Sequence, residues 1–253
     1  MRYAFAGDRN ISCKLLKFLI ERGHKPSALF ISEGVNATHD QDLIDIAGLD
    51  KAFVFSGNDF KKLENIEKLN NLKLDYIFGI HFPYIIPKEV LEIPEVGFLN
   101  LHPAFLPYNK GWHTPSWAIL DKTPYGATLH FMEEALDEGD IIHQKQLKVL
   151  PQDTANTLYQ RVLKLEEEVF YEAYEKLLSG NPTRISQADK GTAHVKRDLH
   201  KIQEIDLSSN YNPEQLMDKL RALSTNKPSE AAYFIKNGKR IGIQVKMFDM
   251  DEE

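Results

Sequence analysis

A chain of 253 residues with 42% apolar side chains has room for one large packed domain, or a domain with an appendage, and enough apolar surface for a continuous core. Its 31 basic and 37 acidic residues leave a net charge of −6, which offers no overall attraction to a nucleic-acid backbone and argues against a large RNA substrate. A single cysteine, Cys13, excludes an intrachain disulfide; the Met1 end carries neither a signal-peptide core nor an apolar run of about 20 residues, so a cytoplasmic protein without a membrane partner is expected.

Residues 2–6 form a short apolar run that reads as a buried first strand ending at Gly7. The loop Gly7-Asp8-Arg9-Asn10 precedes a helical pattern in which Ile11, Leu15, Leu16, Phe18 and Leu19 keep roughly helical spacing. Strand, turn and helix open a mononucleotide-binding α/β unit, but the second and third glycines of a dinucleotide fingerprint are missing, which disfavours NAD. Gly7 is readable as a tight turn and Arg9 as a solvated charge. Alternatively the loop holds a phosphate, because backbone N–H groups at a helix start favour anions and Arg9 adds a charged donor.

Further strands are expected at 27–31, 52–56 and 74–80, with a short helix at 42–47 and a charged amphipathic helix at 58–72. Strands alternating with helices predict an α/β fold with an open, mostly parallel sheet covered on both faces. Residues 80–87 are apolar yet broken by Pro83 and Pro87, which suits a pocket-lining loop or a core turn. A fifth strand at 96–101 carries Asn100 and His102, two residues apart and so on one face. Pro103 and Pro107 end that strand, leaving His102 at its carboxyl end, where open α/β sheets place their chemistry. Tyr108 to His113 make a polar-aromatic loop before a helix over 116–120 that Thr114-Pro115 starts.

Strands at 125–132 and 140–149 are joined by a loop holding Asp137, and 153–179 is a long helix with one apolar stripe, capped by Asp153 and stopped by Gly180. Residues 181–196 read as a linker. Beyond them lie a helix at 213–223 and a hairpin of 231–235 with 240–248 around Asn237-Gly238, whose residues suit a type I′ turn. The expected domains are thus a catalytic one over 1–185 and a small α+β subdomain over 186–253. His81, His102, His113, His130 and His143 with Asp137 and Asp140 also admit a metal-dependent hydrolase, although no pair has compact zinc-ligand spacing, and no metal is expected.

The pattern Asn-x-His-Pro-x-x-Leu-Pro from Asn100 to Pro107, followed by Leu-Asp-x-Gly-Asp from Leu136 to Asp140, resembles the 10-formyltetrahydrofolate-dependent formyltransferases. The reading from His102 through Lys110-Gly111-Trp112-His113-Thr114 is most similar to the branch that formylates an amino group on a nucleotide-linked sugar. This resemblance covers 1–180 well and the rest weakly. It implies a Rossmann-like formyltransferase fold and 10-formyltetrahydrofolate as co-substrate. The acceptor it implies is a dTDP-linked 3- or 4-amino-dideoxysugar, in surface-polysaccharide (O-antigen, lipopolysaccharide) synthesis. Formyl transfer needs oxyanion stabilisation, for which Asn100 supplies amide N–H groups, and a proton relay, for which an imidazole, here that of His102, is the fitting residue type. Asp137 is expected to orient the imidazole and stabilise its charged form.

The resemblance further implies His81, Phe82, Ile85 and Asp140 on the folate side and Gly7, Arg9, Lys110, Trp112, His113 and Tyr233 on the sugar-nucleotide side. Among its branches, glycinamide ribonucleotide formyltransferases leave the tail unexplained. Met-tRNA formyltransferases carry a larger basic C-terminal barrel, and formyltetrahydrofolate hydrolases carry an N-terminal regulatory domain. A ligand-binding module that has lost catalysis is disfavoured because all three polar residues are present in order. A homodimer is expected through the hairpin's apolar Ile241, Ile243 and Val245.

Overall fold

The computed structural model describes residues 1–34, 37–187 and 190–251. In chain order the elements are β1 (Tyr3–Gly7), α1 (Arg9–Glu21), β2 (Ala28–Ile31), α2 (Asp40–Ala47), β3 (Val54–Ser56), α3 (Leu63–Asn71), β4 (Tyr76–Ile80), α4 (Lys88–Leu91) and β5 (Gly97–His102). There follow β6 (Lys110–Gly111), α5 (Thr114–Asp121), β7 (Gly126–Phe131), β8 (Ile141–Gln146), α6 (Ala155–Leu178), β9 (Ala193–His194), α7 (Asp198–Lys201), α8 (Pro213–Ala222), β10 (Ala232–Lys236) and β11 (Lys239–Ile243). By compactness the chain divides into two units. One comprises Met1–His102, Thr128–Gln144 and Glu166–Ala188, the other Pro103–Ala127, Lys145–Leu165 and Asp189–Glu253.

The first unit is organised by a sheet of strand order β3-β2-β1-β4-β5-β7-β8. Strands β1 to β5 pair in parallel, and β7 runs antiparallel to β5. Every residue of β1, β2 and β4 is buried, which is why their sequences read as unbroken apolar runs and not as alternations. The two-residue period still sorts their side chains. Ala4, Ala6, Phe30 and Ile77 enter a core with Phe60, Leu69 and Phe98. Tyr3 meets Phe78 edge-on at 5.4 Å, Phe78 meets Phe170 of α6 at 5.6 Å, and Phe170 meets Phe18 of α1 at 6.2 Å. Each fully buried ring of this kind stabilises the fold by roughly 1.5–3 kcal/mol. The α/β expectation therefore holds, with helices on both faces of a mostly parallel sheet.

Several local expectations are corrected. The helix expected over 58–72 begins only at Leu63, because Lys62 is extended and Asp59–Lys61 form a 3-10 turn that places Phe60 in the core. The long helix is capped by Thr154, which exchanges hydrogen bonds with Thr157 (Thr157 N to Thr154 Oγ1 3.3 Å, Thr154 N to Thr157 Oγ1 2.9 Å). Asp153 is occupied elsewhere, accepting from Leu150 N at 2.7 Å and from Arg161. Residues 181–196 are not a plain linker: Ile185 bridges Ile141 antiparallel, and β9 pairs with β6.

In the second unit, Trp117, Leu199, Ile205, Leu223 and Ala232 form a small core against which Phe234 and Ile243 pack. Asn212 caps α8, accepting from Glu214 N at 2.9 Å and Gln215 N at 3.2 Å, with Pro213 at the first helical position. Asn237 and Gly238 both have positive φ, 51° and 72°, as a type I′ turn demands. The hairpin's second strand ends at Ile243, and the apolar face expected there is divided: Ile243 packs inward while Ile241 stays 43% exposed.

The first loop is held tightly. Ser12 Oγ lies 2.7 Å from Ile80 O and accepts from Asp8 N at 3.2 Å, and a Cβ on Gly7 would sit 2.8 Å from Ser12 Cβ. Gly7→Ala should therefore overpack this loop and cost about 1–3 kcal/mol, read as a lower urea midpoint at unchanged m.

Candidate active site

Asn100 and His102 stand on one face of β5, and the register with β7 sets Asn100 opposite His130 and His102 opposite Thr128. Past β7 the chain turns through a loop in which Phe131 N donates to Asp140 O at 2.9 Å. That turn has two demanding positions. Asp137 takes a left-handed backbone (φ 55°), which Asp tolerates better than most residues. At Gly139 a Cβ would lie 2.0 Å from Phe131 O, so only glycine fits. The Leu-Asp-x-Gly-Asp pattern thus has a backbone reason as well as a chemical one.

The loop delivers the Asp137 carboxylate to the strand residues. Its Oδ2 lies 3.5 Å from His102 Nε2, and its Oδ1 lies 3.7 Å from His130 Nε2 and 3.4 Å from Asn100 Nδ2. Asp137, His102 and His130 are 9%, 7% and 1% exposed, so the carboxylate relies on these neighbours in place of bulk water. The 3.5 Å separation is longer than a tight hydrogen bond.

His130 is the member that the sequence offered only as a metal-ligand candidate. Its Nδ1 lies 2.7 Å from Phe131 O, which can only accept, while its Nε2 lies 3.2 Å from the Asn100 amide nitrogen, which can only donate. With the Asn100 amide nitrogen facing the ring, these hydrogen bonds favour a neutral imidazole carrying its proton on Nδ1. Both Asn100 N–H groups are then directed, one to His130 and the other, at longer range, to Asp137. The available signal was the pairing of two antiparallel strands, which a single sequence does not state. Among the described residues no group of three or more His, Cys, Asp or Glu is arranged to hold a metal ion.

The remaining candidates are placed as follows. His81, at φ 52° just beyond β4, has Nε2 3.0 and 3.1 Å from the carboxylate oxygens of fully buried Glu166. Phe82 joins an aromatic cluster, 4.9 Å from Tyr84 and 5.7 Å from Phe60, while Ile85 is 86% exposed. The Asp140 carboxylate lies 3.9 Å from Arg184. Gly7 is buried and Arg9 exposed, with the Asp8 carboxylate between them accepting from Thr38 N and Oγ1 at 3.1 and 2.9 Å.

In the second unit Lys110 is buried on β6, and Lys196 lies 5.0 Å over the ring of half-exposed Trp112. His113 is 3.9 Å from Glu230; burial holds its imidazole below the ordinary range against the pull of that carboxylate. Tyr233 donates to Glu204 at 3.2 Å. This unit also has an open cleft of about 650 Å3 beside Lys122, Tyr125, Met217 and Arg221, and none of the candidates lines it. The structure thus gathers Asn100, His102, Asp137 and His130 into one cluster.

The formyl transferase family pattern matches residues 21–174, and the N-formyltransferase dimerization C-terminal domain matches 198–248. The chain belongs to the formyl transferase family. A relative, the dTDP-4-amino-4,6-dideoxyglucose formyltransferase of Mycobacterium tuberculosis, is 27% identical over 173 residues, covering 68% of this chain and 73% of that one. Among solved structures, a 4-N formyltransferase from Francisella tularensis superposes with a TM-score of 0.83 at 25% identity over 98% of both chains. A formyltransferase from Anoxybacillus kamchatkensis, in complex with UDP-4,6-dideoxy-4-formamido-L-AltNAc and tetrahydrofolate, gives a TM-score of 0.60 at 25% identity, over 87% of this chain and 97% of that one. Methionyl-tRNA formyltransferases are also among the relatives.

The hydrogen-bond network fixes a measurable property of this formyltransferase. In long-range nitrogen–proton NMR spectra of histidine-labelled protein at pH 7.5, His130 should show the Nδ1–H tautomer. An Nε2–H pattern would mean that Asn100 does not donate to it.

Proposed function

We propose that this formyltransferase moves the formyl group of 10-formyltetrahydrofolate to the amino group of a nucleotide-linked 3- or 4-amino-dideoxysugar, with a dTDP-sugar as acceptor. The observation that carries the reading is the Asp137 carboxylate held 3.5 Å from His102 Nε2 at the carboxyl end of β5, with Asn100 beside it. The C-terminal match to an N-formyltransferase module and the sugar-nucleotide chemistry of the relatives support a small acceptor. The net charge of −6 weighs against a tRNA.

The neutral amine attacks the formyl carbon; as the new C–N bond forms, the carbonyl electron pair moves onto oxygen. The Asn100 N–H that now points to Asp137 at 3.4 Å is the more weakly held of its two and turns to the oxyanion, an interaction worth about 3–4 kcal/mol when a preorganised donor is lost. Neutral His102 takes the proton of the attacking amine, directly or through a water, and returns it to N10 as the C–N10 bond breaks. Asp137 stabilises the transient imidazolium. His130 fixes Asn100 by accepting one of its N–H groups.

On this reading His81 contributes backbone groups to the folate side, since its ring is engaged by Glu166. Phe82, Ile85 and Asp140 belong to the same side, while Gly7, Arg9, Lys110, Trp112, His113 and Tyr233 serve the sugar nucleotide. Residues 186–253 supply a dimer contact, supported by the module match and by the exposed Ile235 and Ile241 of the hairpin. Light scattering at micromolar concentration should give twice the chain mass, and a monomer would remove that part of the proposal.

The decisive assay incubates the protein with 10-formyltetrahydrofolate and a panel of amino-sugar nucleotides, and looks for a gain of one formyl mass on one member. With that member, His102→Asn and Asp137→Asn should each lower kcat by roughly 10²–10⁴-fold at unchanged circular dichroism. Turnover near wild type in either variant overturns the assignment.

A further inference from the structure

The stretch after α6 carries a feature that the reaction scheme does not use. Gln187 Nε2 donates to Asp137 O at 2.9 Å and to Gly139 O at 2.7 Å, so both its hydrogens go to the loop that bears the carboxylate. Its Oε1 is buried without a hydrogen-bond partner among the described residues. Turning the amide over would set that oxygen against two carbonyl oxygens, so the donor side is fixed by its surroundings.

Gln187 is itself well anchored. Two residues earlier, Ile185 and Ile141 exchange backbone hydrogen bonds of 2.8 and 2.9 Å. One residue before that, the Arg184 guanidinium lies 3.5 Å from the centre of the Phe131 ring and donates to Val96 O at 3.0 Å. Residues 184–187 are therefore a strap across the start of β8 and the turn before it. The turn needs one, because a non-glycine residue keeps a left-handed backbone such as that of Asp137 only when its neighbours enforce it.

We propose that Gln187 is a positioning residue for formyl transfer: its amide clamps the carbonyls of Asp137 and Gly139 and thereby aims the Asp137 carboxylate at His102. The proposal rests on the role given to Asp137 above. A side chain that reaches the reacting groups only through the backbone of another residue affects the rate by geometry. A displacement of about 1 Å at such a group costs on the order of 100-fold.

Two substitutions separate the clamp from packing. Gln187→Met keeps length and volume without a donor, and Gln187→Glu is nearly isosteric but sets acceptor against acceptor. With 10-formyltetrahydrofolate and the panel member that the wild type formylates, each should lower kcat roughly 10- to 100-fold. KM for both substrates should stay within about threefold. Hydrogen exchange of the backbone amides of residues 136–140 should quicken while that of β1 and β4 does not, a readout that needs no substrate. In an Asp137→Asn background, adding Gln187→Met should change kcat by less than about threefold, because the two act through one group.

Wild-type kcat and wild-type exchange in Gln187→Met would overturn the proposal. So would a full, additive loss in the double variant, which would mean that Gln187 acts independently of Asp137. If Asp137→Asn alone turns over normally, or no panel member is formylated, it is the reaction reading that fails, and the exchange measurement still decides whether Gln187 holds the turn.

Discussion

The register between β5 and β7 is the constraint on which the site depends. It sets Asn100 opposite His130, and because the side-chain period of a strand is two, a slip of one residue would send Asn100 and His102 to the other face. The register is enforced on both sides of the pair. Leu99 opposes Phe131 and Leu101 opposes Leu129, all buried, so a one-residue slip would set these apolar groups against polar ones. The same core that stabilises the sheet thus selects which polar side chains meet at its edge. The geometry of the polar cluster is a by-product of apolar packing in the neighbouring positions.

A buried carboxylate shared by two imidazoles and an amide needs a division of labour. If both histidines answered Asp137 with a proton, the cluster would carry two cations on one anion in a poorly solvated place, at considerable desolvation cost. For His130 the Phe131 carbonyl takes the Nδ1 proton, and the Asn100 N–H facing Nε2 disfavours a second proton there. One backbone carbonyl thereby selects which nitrogen of the neighbouring imidazole carries the proton.

Much of this arrangement is legible in the sequence because the signals are local. The unbroken apolar runs at β1, β2 and β4 announce buried parallel strands. The two-residue spacing of Asn100 and His102 with prolines behind them announces a sheet edge. The Asn237-Gly238 turn is readable for the same reason, since only a few residues accept two successive positive φ angles. What escapes the sequence is contact between distant segments. His130 gains its meaning from a strand thirty positions earlier. Gln187 sits in a polar stretch whose composition suggests a linker, and nothing in that composition states that it closes on a turn fifty positions back. Asp153 reads as the cap of α6 because capping signals are short-range, but Arg161 competes for the same carboxylate and Thr154 takes the cap.

The turn of Asp137 shows how chemistry and backbone can be coupled in one motif. Its conformation is assembled from three separate requirements: a residue that accepts positive φ, a glycine where Phe131 O comes too close for any side chain, and outward carbonyls that find donors. Asp satisfies the first while also placing a carboxylate beside the two imidazoles, so the position cannot be optimised for backbone ease without losing the charge. The glycine satisfies the second only by adding freedom to the unfolded chain, which weakens the turn unless something else holds it. The third requirement therefore falls to residues outside the turn, and in this chain it is the segment after α6 that meets it. The turn that bears the Asp137 carboxylate is thus held by a segment far off in sequence, and the positions of such holding residues follow from where the chain passes and not from any pattern around the polar cluster.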